Sequence, residues 1–473
     1  MYVSEKKDVS RRNFVKYAAA GIVVAGVAGA AGYYAATSQP PSPAVTETLT
    51  QVMTQTAAAT TPAKPPAAKP GQLDHFQWFF GPEFVKKSLD KFTADTGIKT
   101  EQHVGPRVGY ESSMITKIMG GAPIDTMSVG IGYRDAWYNA GWLENLEGLP
   151  GADQAKKEMF PSVMDFYLKD GELIAMPYYM AGWFPFYNKR MVNELGFEPA
   201  RDRNEVYEQC KAAKKKWNLP APYFTCLLEA AEWIWEQYIV ELGLLPFSKD
   251  NKPMFEGDPR NAEALKWMKT MYDEKLMPSS IFTDGWDVLS LNPAKGYTMY
   301  EDAHQYCLEP VNRSMTGDVP ERGNWYLVPR PLGGNEAKLV TQGEWTAMCK
   351  NTHSKEWAWE LLKYLTWKDP TGKFQLLREW GVVGLLEPYA EWFNDPEVKK
   401  EFDAWNPGTG FDGYKEYFDR YMMVPYWQLK PWFAEFSEIG KETITKYVLG
   451  QTSLADLEKT MGDKAREVIA ESA

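Results

Sequence analysis

The sequence predicts an α/β protein made of two bodies, and three observations support this. Short apolar segments alternate with amphipathic helical segments along both halves of the chain. The connections between them are short, as is typical of sheets with parallel strands. In residues 170–190 the turn signal Asp170-Gly171 precedes an apolar strand that Pro177 ends, and a second strand begins near Phe184 among many aromatic residues. That pattern is typical of a strand that leaves one body and starts another, although a plain core strand would also fit it.

The N-terminal part of the body follows a regular strand–helix order. Residues 73–80 predict a buried strand, and the helix after Gly81-Pro82 repeats Val85, Leu89 and Phe92 at helical spacing. Gly97 is suited to end that helix, because glycine tolerates the left-handed conformation found there. The alternation continues with strands at 98–104 and 125–129 and helices at 112–119 and 134–140.

The same order resumes after residue 190. Asp258-Pro259 and Ser354 are typical helix starts, and Thr452 or Ser453 begins the last helix. Further helices are predicted at 204–217, 229–243 and 355–367, and strands or extended segments at 296–300, 326–331 and 346–349. The sequence contains no internal repeat.

The charge of the body argues against a nucleic-acid partner. Residues 1–72 carry a net +4, so the remainder carries −15 of the total of −11, with no basic stripe. Aromatic residues are abundant, at 14% with 19 Trp. The four cysteines have no C-x-x-C spacing and are expected to be small buried hydrophobes; a Cys210–Cys226 disulfide is the alternative if the body lies outside the cell.

Residues 1–36 predict an export signal or membrane anchor. A basic start is followed by the uncharged run 17–36, long enough to cross a bilayer as a helix. Ser10-Arg11-Arg12-Asn13-Phe14-Val15-Lys16 resembles the twin-arginine signal S-R-R-x-F-L-K. Residues 37–72 are a Pro/Thr/Ala-rich linker that cannot bury a core. We therefore expect the body to lie at the cell surface, outside the cytoplasm.

Several motifs in the body, taken in order, resemble the family 1 extracellular solute-binding proteins, the sugar-binding group of ABC importers. The segment 118–125 resembles the family's G-x-x-P-D, and 140–146 resembles G-x-L-x-x-L. Asp170-Gly171, Pro177 and Tyr187-Asn188-Lys189 resemble D-G-K-x-x-x-x-P followed by Y-N-K. The helix around 358–366 also fits the family pattern, and the resemblance covers roughly residues 73–473.

The resemblance implies a two-lobed fold of the periplasmic-binding-protein type II class. Each lobe would be a mostly parallel sheet flanked by helices, with the ligand in the cleft between the lobes. The first lobe would comprise about 73–181 and 331–385, and the second about 182–330 and 386–473. Closure around the ligand would bend the crossing segments at about 180–184, 326–331 and 383–388.

Sugars present apolar faces and a rim of hydroxyl groups, so aromatic and polar side chains are the expected ligand contacts. Motif position singles out residues at the crossing segment, after the third strand, after the predicted strand 297–299, and late in the chain. They are Trp345, Tyr223, Trp183, Tyr179, Glu344, Tyr300, Glu301, Asp302, Tyr133, Gly130, Trp432 and Trp427. Most of the aromatic residues must nevertheless form the core.

The sequence carries no pattern for a cofactor or metal. Gly130-Ile131-Gly132 begins a dinucleotide motif, but Asp135 breaks it. The four histidines have no metal-ligand spacing, and no nucleophile motif is present. The resemblance implies a monomeric binding protein, with no enzymatic activity, that passes a sugar, an oligosaccharide or polyol, to an ABC permease. The alternatives are a secreted hydrolase with two cleft carboxylates, or a binding protein for a peptide or phosphate ester.

Overall fold

Two sheets and a small hairpin organise the chain, which the computed structural model describes from residue 68 to 472, except positions 108, 287, 335, 407 and 409. The predicted signal and most of the linker lie outside these residues. The strands are β1 (Gln72–Trp78), β2 (Lys99–Gly105), β3 (Thr126–Val129), β4 (Leu168–Lys169), β5 (Glu172–Leu173), β6 (Met176–Gly182), β7 (Phe184–Asn188), β8 (Tyr223–Phe224), β9 (Tyr300–Ala303), β10 (Trp325–Leu327), β11 (Leu339–Met348) and β12 (Met422–Met423).

Helices cover the sheets. In chain order they are Pro82–Thr96, Tyr110–Met119, Arg134–Asn139, Ala152–Glu158, Pro161–Met164, Lys189–Glu194, Arg203–Trp217, Leu227–Glu241, Pro259–Asp273, Val288–Ala294, Lys355–Thr366, Leu376–Val382, Pro396–Trp405, Gly410–Glu416, Phe433–Val448 and Leu454–Ser472. Short 3₁₀ or π-helical segments lie at Ser279–Phe282, Gln305–Cys307, Pro310–Ser314, Trp392–Asn394 and Tyr417–Tyr421. Within the described part of the chain, no helix combines the length and apolar character needed to cross a membrane.

The first sheet has the order β12-β11-β3-β1-β2, with β6 also paired to β11. The parallel pairing expected from the alternation holds for β1 with β2 and β3. β11 is antiparallel to β3 and β6, because it returns to this sheet from the other one. The second sheet has the order β10-β7-β9-β8 and is mixed in the same way, with only β8 and β9 parallel.

The chain passes between the sheets at Trp183. β6 pairs with β11 in the first sheet, and β7, which begins one residue later, pairs with β9 and β10 in the second. Leu386 adds a bridge to Met180 on β6, so a third segment meets the same point. The stretch around residue 183 is therefore the place where the two halves of the body are joined.

Local signals placed most elements correctly. Asp170 and Gly171 both have positive φ (52° and 84°), as a type I′ hairpin turn between β4 and β5 requires. Gly97 ends the first helix in the left-handed conformation, and its N–H donates to the Thr93 carbonyl. The Asp258 side chain accepts from the Arg260 N–H and so begins its helix as predicted.

Three strand predictions were wrong in their bounds. Pro177 lies inside β6 and does not end a strand. The segment predicted at 296–300 is mostly a turn after the helix Val288–Ala294, and β9 begins only at Tyr300. The strand predicted at 346–349 is the ten-residue β11. It contains the polar residues Thr341, Gln342 and Glu344, which interrupt the apolar pattern, although every residue of the strand is buried.

The core takes up most of the aromatic residues. Ten tryptophans are among the largest fully buried side chains, including Trp137, Trp235, Trp359 and Trp392. All four cysteines are buried and free, so the alternative Cys210–Cys226 disulfide is absent from the described residues.

We predict that Gly343→Ala destabilises the protein. A Cβ at this position would lie against the Tyr179 carbonyl oxygen and 3.3 Å from the Met180 Cα, so β6 and β11 would have to move apart. The expected loss in the free energy of unfolding is about 2–4 kcal/mol, measured by urea denaturation.

Gly71→Ala is the matched control, since a Cβ there would have no atom within 4 Å. It should change the free energy of unfolding by less than about 0.5 kcal/mol. Equal stability of the two variants would contradict the importance of the close β6–β11 approach.

Candidate ligand-binding site

Loops at the carboxyl ends of the first sheet's parallel strands bring charged groups together. Arg107 follows β2, and its Nη1 is 2.6 Å from the Glu111 Oε1. Gly130 follows β3, and a Cβ there would lie 2.5 Å from the same carboxylate oxygen. The glycine therefore leaves the space that the Arg107–Glu111 pair occupies, at the edge where α/β sheets commonly bind ligands.

Glu344, on β11, lies next to the Arg107–Glu111 pair. It lies directly opposite Tyr179 on β6, and its Oε1 is 3.8 Å from the Arg107 Nη2. Burial raises the pKa of Glu344 to about 8, against the lowering effect of Arg107. At neutral pH this carboxyl group is therefore mostly protonated and can donate a hydrogen bond.

The second sheet contributes the residues that follow β9. The His304 Nε2 is 2.8 Å from the Gln342 Oε1 on β11, and its Nδ1 is 2.9 Å from the Tyr306 hydroxyl. The Gln305 Nε2 donates to the Met180 carbonyl at 3.2 Å. Burial lowers the pKa of His304 to about 4, so the neutral ring donates through one nitrogen and accepts through the other.

Trp183 lies beside His304, at the point where the chain passes between the two sheets. Its ring centre is 4.8 Å from that of His304, and it stacks on Trp286 at 5.5 Å. Both sheets therefore supply side chains to one location beside the point where the chain passes between them.

Several polar atoms here have no hydrogen-bond partner in the described part of the chain. They are Trp183 Nε1, Gln305 Oε1, Gln342 Nε2 and Glu344 Oε2. Such atoms also occur elsewhere in the described residues, on Trp137, Glu387 and Trp405 for example, and each costs about 1–3 kcal/mol if it stays unpaired. The four atoms named here include donors and acceptors, and a hydroxyl group can pair with either kind.

Five of the residues expected from the sequence lie in or beside this location. Tyr179, Trp183, Glu344 and Gly130 belong to the contacts above, and Tyr133 is nearby and half-buried. The pKa of Tyr133 is raised by burial and by Glu111, which places it close to the Arg107–Glu111 pair. Contact of these residues with a ligand remains a prediction.

Three other expected residues form a network inside the second half of the body. The Tyr223 hydroxyl is 2.9 Å from the Asp302 Oδ2, which also pairs with Arg203 at 2.6 Å. The Tyr300 hydroxyl donates to the Gln209 Oε1 at 2.8 Å. These side chains are satisfied within the protein. Tyr300 and Asp302 were expected to follow a strand, but both lie within β9, two residues apart and therefore on the same face of it.

Glu301 lies between them on β9. It is fully buried, and neither carboxylate oxygen has a hydrogen-bond partner among the described residues. Burial and the neighbouring Asp302 raise its pKa well above the usual range. The alternation of side chains along a strand directs it away from the Tyr223–Asp302 network.

The three remaining expected residues are tryptophans that pack in the core. The Trp345 Nε1 donates to the Phe166 carbonyl at 2.8 Å, and the ring lies on the opposite side of β11 from Glu344. The Trp427 Nε1 donates to Glu236 at 2.6 Å. Trp432 packs on Phe247, with ring centres 4.7 Å apart. A ligand contact for these three remains a prediction, and the structure gives each a packing partner.

Sequence reasoning missed Arg107, Gln305 and Gln342. The signal for Gln342 was available: polar residues in an otherwise apolar segment between 339 and 348 indicate a strand with a functional face. Arg107 and Gln305 stand in loops, where residue type alone does not distinguish a site from solvated surface.

One cluster at the opposite end of the first sheet has metal-ligand chemistry. Asp74, Asp125 and His353 each offer a ligand atom within 4.8 Å of the others, although their sequence spacing gave no such signal. Asp125 already accepts from the Asp74 N–H (2.7 Å), the Thr352 hydroxyl (2.7 Å) and the His353 N–H (2.8 Å). These hydrogen bonds explain why the three side chains lie together, since they connect β1, β3 and the loop at residues 352–353.

We predict a pH-dependent stability that Glu344→Gln removes. Because the folded pKa of Glu344 (about 8) exceeds its ordinary value of 4.5, the folded state binds more protons than the unfolded state between these pH values. The wild-type free energy of unfolding should therefore fall as pH rises from 5 to 8, relative to the variant, by on the order of 2 kcal/mol.

Denaturant unfolding of both proteins across this pH range measures the difference. Glu263→Gln, at an exposed helix position, is the matched control and should follow the wild-type profile. A Glu344→Gln profile parallel to the wild type would contradict a protonated Glu344.

Comparisons with known proteins agree with this architecture. A mannitol-binding protein of Pseudomonas aeruginosa is 30% identical over 115 residues, which is 24% of this chain and 26% of that protein. The sugar-binding protein MalE of Xanthomonas citri superposes with a TM-score of 0.71 at 18% identity, over 85% of this chain and 98% of the other. A solute-binding protein of Agrobacterium radiobacter in complex with ribitol gives 0.69 at 16% identity, over 85% and 99%.

These likenesses show a shared two-lobed α/β fold. The sequence model for bacterial extracellular solute-binding proteins matches residues 81–369, more than half of the chain. This chain is a member of the bacterial extracellular solute-binding protein family.

Proposed function

We propose that this protein is the extracytoplasmic binding component of an ABC importer that captures a sugar or polyol. The family and the names of its relatives support the proposal, since one relative is a mannitol-binding protein and one structural neighbour holds ribitol. The observation that carries it is the group of unpartnered donors and acceptors on Gln342, Glu344, Gln305 and Trp183, which suits a hydroxylated molecule.

The ligand would be held between the two lobes. We assign residues 73–181 and 331–385 to the first lobe and 182–330 and 386–473 to the second. The first lobe would then present Arg107, Tyr179 and Glu344 to the ligand. The second lobe would present His304, and Trp183 would reach the ligand from the crossing point. Ligand binding would favour the closed arrangement, and a membrane permease would recognise that form.

The protein would bind its ligand without changing it. The family and its structural neighbours are binding proteins. An export signal at residues 1–36, followed by the linker, would place a monomeric body outside the cytoplasm, anchored if the signal is retained.

Titration of intrinsic tryptophan fluorescence with mannitol, ribitol, glucose and maltose tests this function, because Trp183 and Trp286 stack at the site. We expect saturable binding to at least one of these, and chromatography of the same mixtures should show no hydrolysis products. Turnover that a cleft carboxylate substitution abolishes would support the hydrolase alternative instead.

We predict that Tyr179→Ala weakens ligand binding at least tenfold. The substitution removes a ring that packs on Phe80, with ring centres 5.6 Å apart, and that lies opposite Glu344 on the neighbouring strand. Isothermal titration measures the affinity, and thermal melting without ligand separates lost binding from lost folding.

Tyr389→Phe is a suitable control, because its hydroxyl donates to the Thr366 carbonyl inside the core. It should lower the melting temperature and leave the affinity unchanged. The reverse pattern, with stability lost and affinity kept in Tyr179→Ala, would assign Tyr179 to packing of the strand crossing.

A further inference from the structure

We propose that the first sheet carries a binding site for a divalent transition-metal ion such as Zn²⁺, at the edge opposite the candidate ligand-binding site. Asp74, Asp125 and His353 would bind the ion, and His103 would position Asp74. The inference goes beyond the proposed function and does not depend on it, since the ion would stabilise the sheet and take no part in capturing a solute.

Strand pairing brings the three ligands together. Asp74 is the third residue of β1, Asp125 directly precedes β3, and the Asp125 N–H donates to the Asp74 carbonyl at 3.2 Å. His353 lies in the loop after β11. One possible ligand atom of each residue lies within 4.8 Å of the other two. Small side-chain movements would therefore let one ion contact all three at the distance of about 2.0–2.2 Å that zinc ligands require.

The Asp125 carboxylate is held in position by its neighbours. Its Oδ1 accepts from the Thr352 hydroxyl at 2.7 Å and the His353 N–H at 2.8 Å, and its Oδ2 accepts from the Asp74 N–H at 2.7 Å. Carboxylates that bind metals are typically oriented by such hydrogen bonds. Each carboxylate oxygen has two acceptor sites, and the second site of Oδ2 faces the His353 Nδ1 at 3.0 Å. An ion between these two atoms would replace the shared proton.

Asp74 has a side-chain oxygen to spare. Both hydrogen bonds that the described residues donate to its carboxylate go to Oδ1, from the His103 Nε2 at 2.7 Å and the Gln72 Nε2 at 3.2 Å. Oδ2 therefore remains for an ion, although the residue is only 8% exposed. Asp74 and Asp125 place two buried carboxylates side by side, which is unfavourable for both charges unless a cation lies between them.

Histidines, and not Lys or Arg, are the ion-pair partners of these carboxylates in the described part of the chain. His103 pairs with Asp74, and His353 pairs with Asp125. A lysine or arginine would keep its positive charge and repel a metal cation. An imidazole can instead release its proton and bind the ion through the freed nitrogen. The pairing therefore suits a site that a proton and a metal ion occupy in turn.

The site is open to solvent and its ligands select the kind of ion. The side chains of His103 and His353 are 40% and 39% exposed, so an ion can enter without separating the strands. One imidazole nitrogen with two carboxylate oxygens suits zinc and related transition-metal ions, whereas Ca²⁺ and Mg²⁺ prefer oxygen ligands alone. Three protein ligands leave one coordination position for water.

An ion here would connect three segments of the first sheet. Asp74 belongs to β1, Asp125 leads into β3, and His353 lies between β11 and the helix Lys355–Thr366. Because the ligands come together only in the folded chain, metal binding would stabilise the fold by mass action.

Titration of the purified chain, prepared without a histidine tag and treated with EDTA, with ZnCl₂ tests the site. We expect one equivalent of Zn²⁺ to bind with a micromolar or tighter Kd, and the melting temperature to rise by about 3 °C when Zn²⁺ is in large excess over Kd. Ca²⁺ and Mg²⁺ should raise it less. Failure of the wild-type chain to bind Zn²⁺ would overturn the proposal and leave the sugar-binding function standing.

His353→Gln tests the assignment of the ligands. It keeps the backbone N–H that donates to Asp125 and removes the imidazole. We expect the affinity for Zn²⁺ to fall at least tenfold. The melting temperature without metal should stay within about 2 °C of the wild type, since the side chain is partly exposed. Asp74→Asn should weaken Zn²⁺ binding as strongly, and it replaces the first variant if that one folds poorly. Wild-type affinity in both variants would overturn the site.

Asp412→Asn is the matched control. Its carboxylate pairs with Lys399 at 2.7 Å, and its side chain is 75% exposed. This variant should bind Zn²⁺ as tightly as the wild type and show the same rise in melting temperature. An equal loss of affinity in Asp412→Asn would mean that Zn²⁺ binds scattered surface carboxylates, and the proposed site would then be wrong.

Discussion

The pairing of β11 with β6 is the constraint on which the rest of the structure depends. β11 joins β12, β6 and β3, and β6 leads through Trp183 directly into the second sheet. Gly343 permits this pairing, since a side chain there would meet the Tyr179 backbone. The same strands carry Tyr179, Gln342 and Glu344, so the contact that joins the two halves also builds the candidate site. A ligand at this site would touch the residues about which we propose that the lobes move.

The polar residues of β11 have an unfavourable place in the fold. A carboxyl and an amide buried in a sheet lower stability unless they find partners, and burial keeps Glu344 protonated instead of charged. Gln342 is only half satisfied through His304. Apolar residues would fill a purely structural role better, and this is one reason why we propose that these groups serve binding. The fold holds them in place through the strand pairing on both sides of β11.

The site and the core use aromatic residues differently. Trp345, Trp359 and Trp392 each donate an indole hydrogen bond to a backbone carbonyl and are satisfied inside the protein. Trp183 packs on Trp286 and His304 but keeps its donor free of protein partners in the described residues. This difference does not by itself mark a site, because the indole nitrogens of Trp137, Trp380 and Trp405 are also buried without a partner in the described residues. The place of Trp183 at the strand crossing is what distinguishes it.

The sequence by itself determined the fold class, the family and most helices and strands. Hydrophobic periodicity, the helix ends at Gly97 and Asp258 and the hairpin turn at Asp170-Gly171 are local signals that can be read without the tertiary structure. It also predicted Tyr179, Trp183, Glu344, Tyr133 and Gly130 as ligand contacts, and the structure places these five near the strand crossing; their contact with a ligand stays a prediction. Only the tertiary structure decided that Tyr223, Tyr300 and Asp302 face an internal network, since one strand displaced by a few residues changes which side chains share a face. It alone brought Arg107, Gln305 and Gln342 to the crossing, because residues more than 200 positions apart meet there through strand pairing that no local pattern encodes.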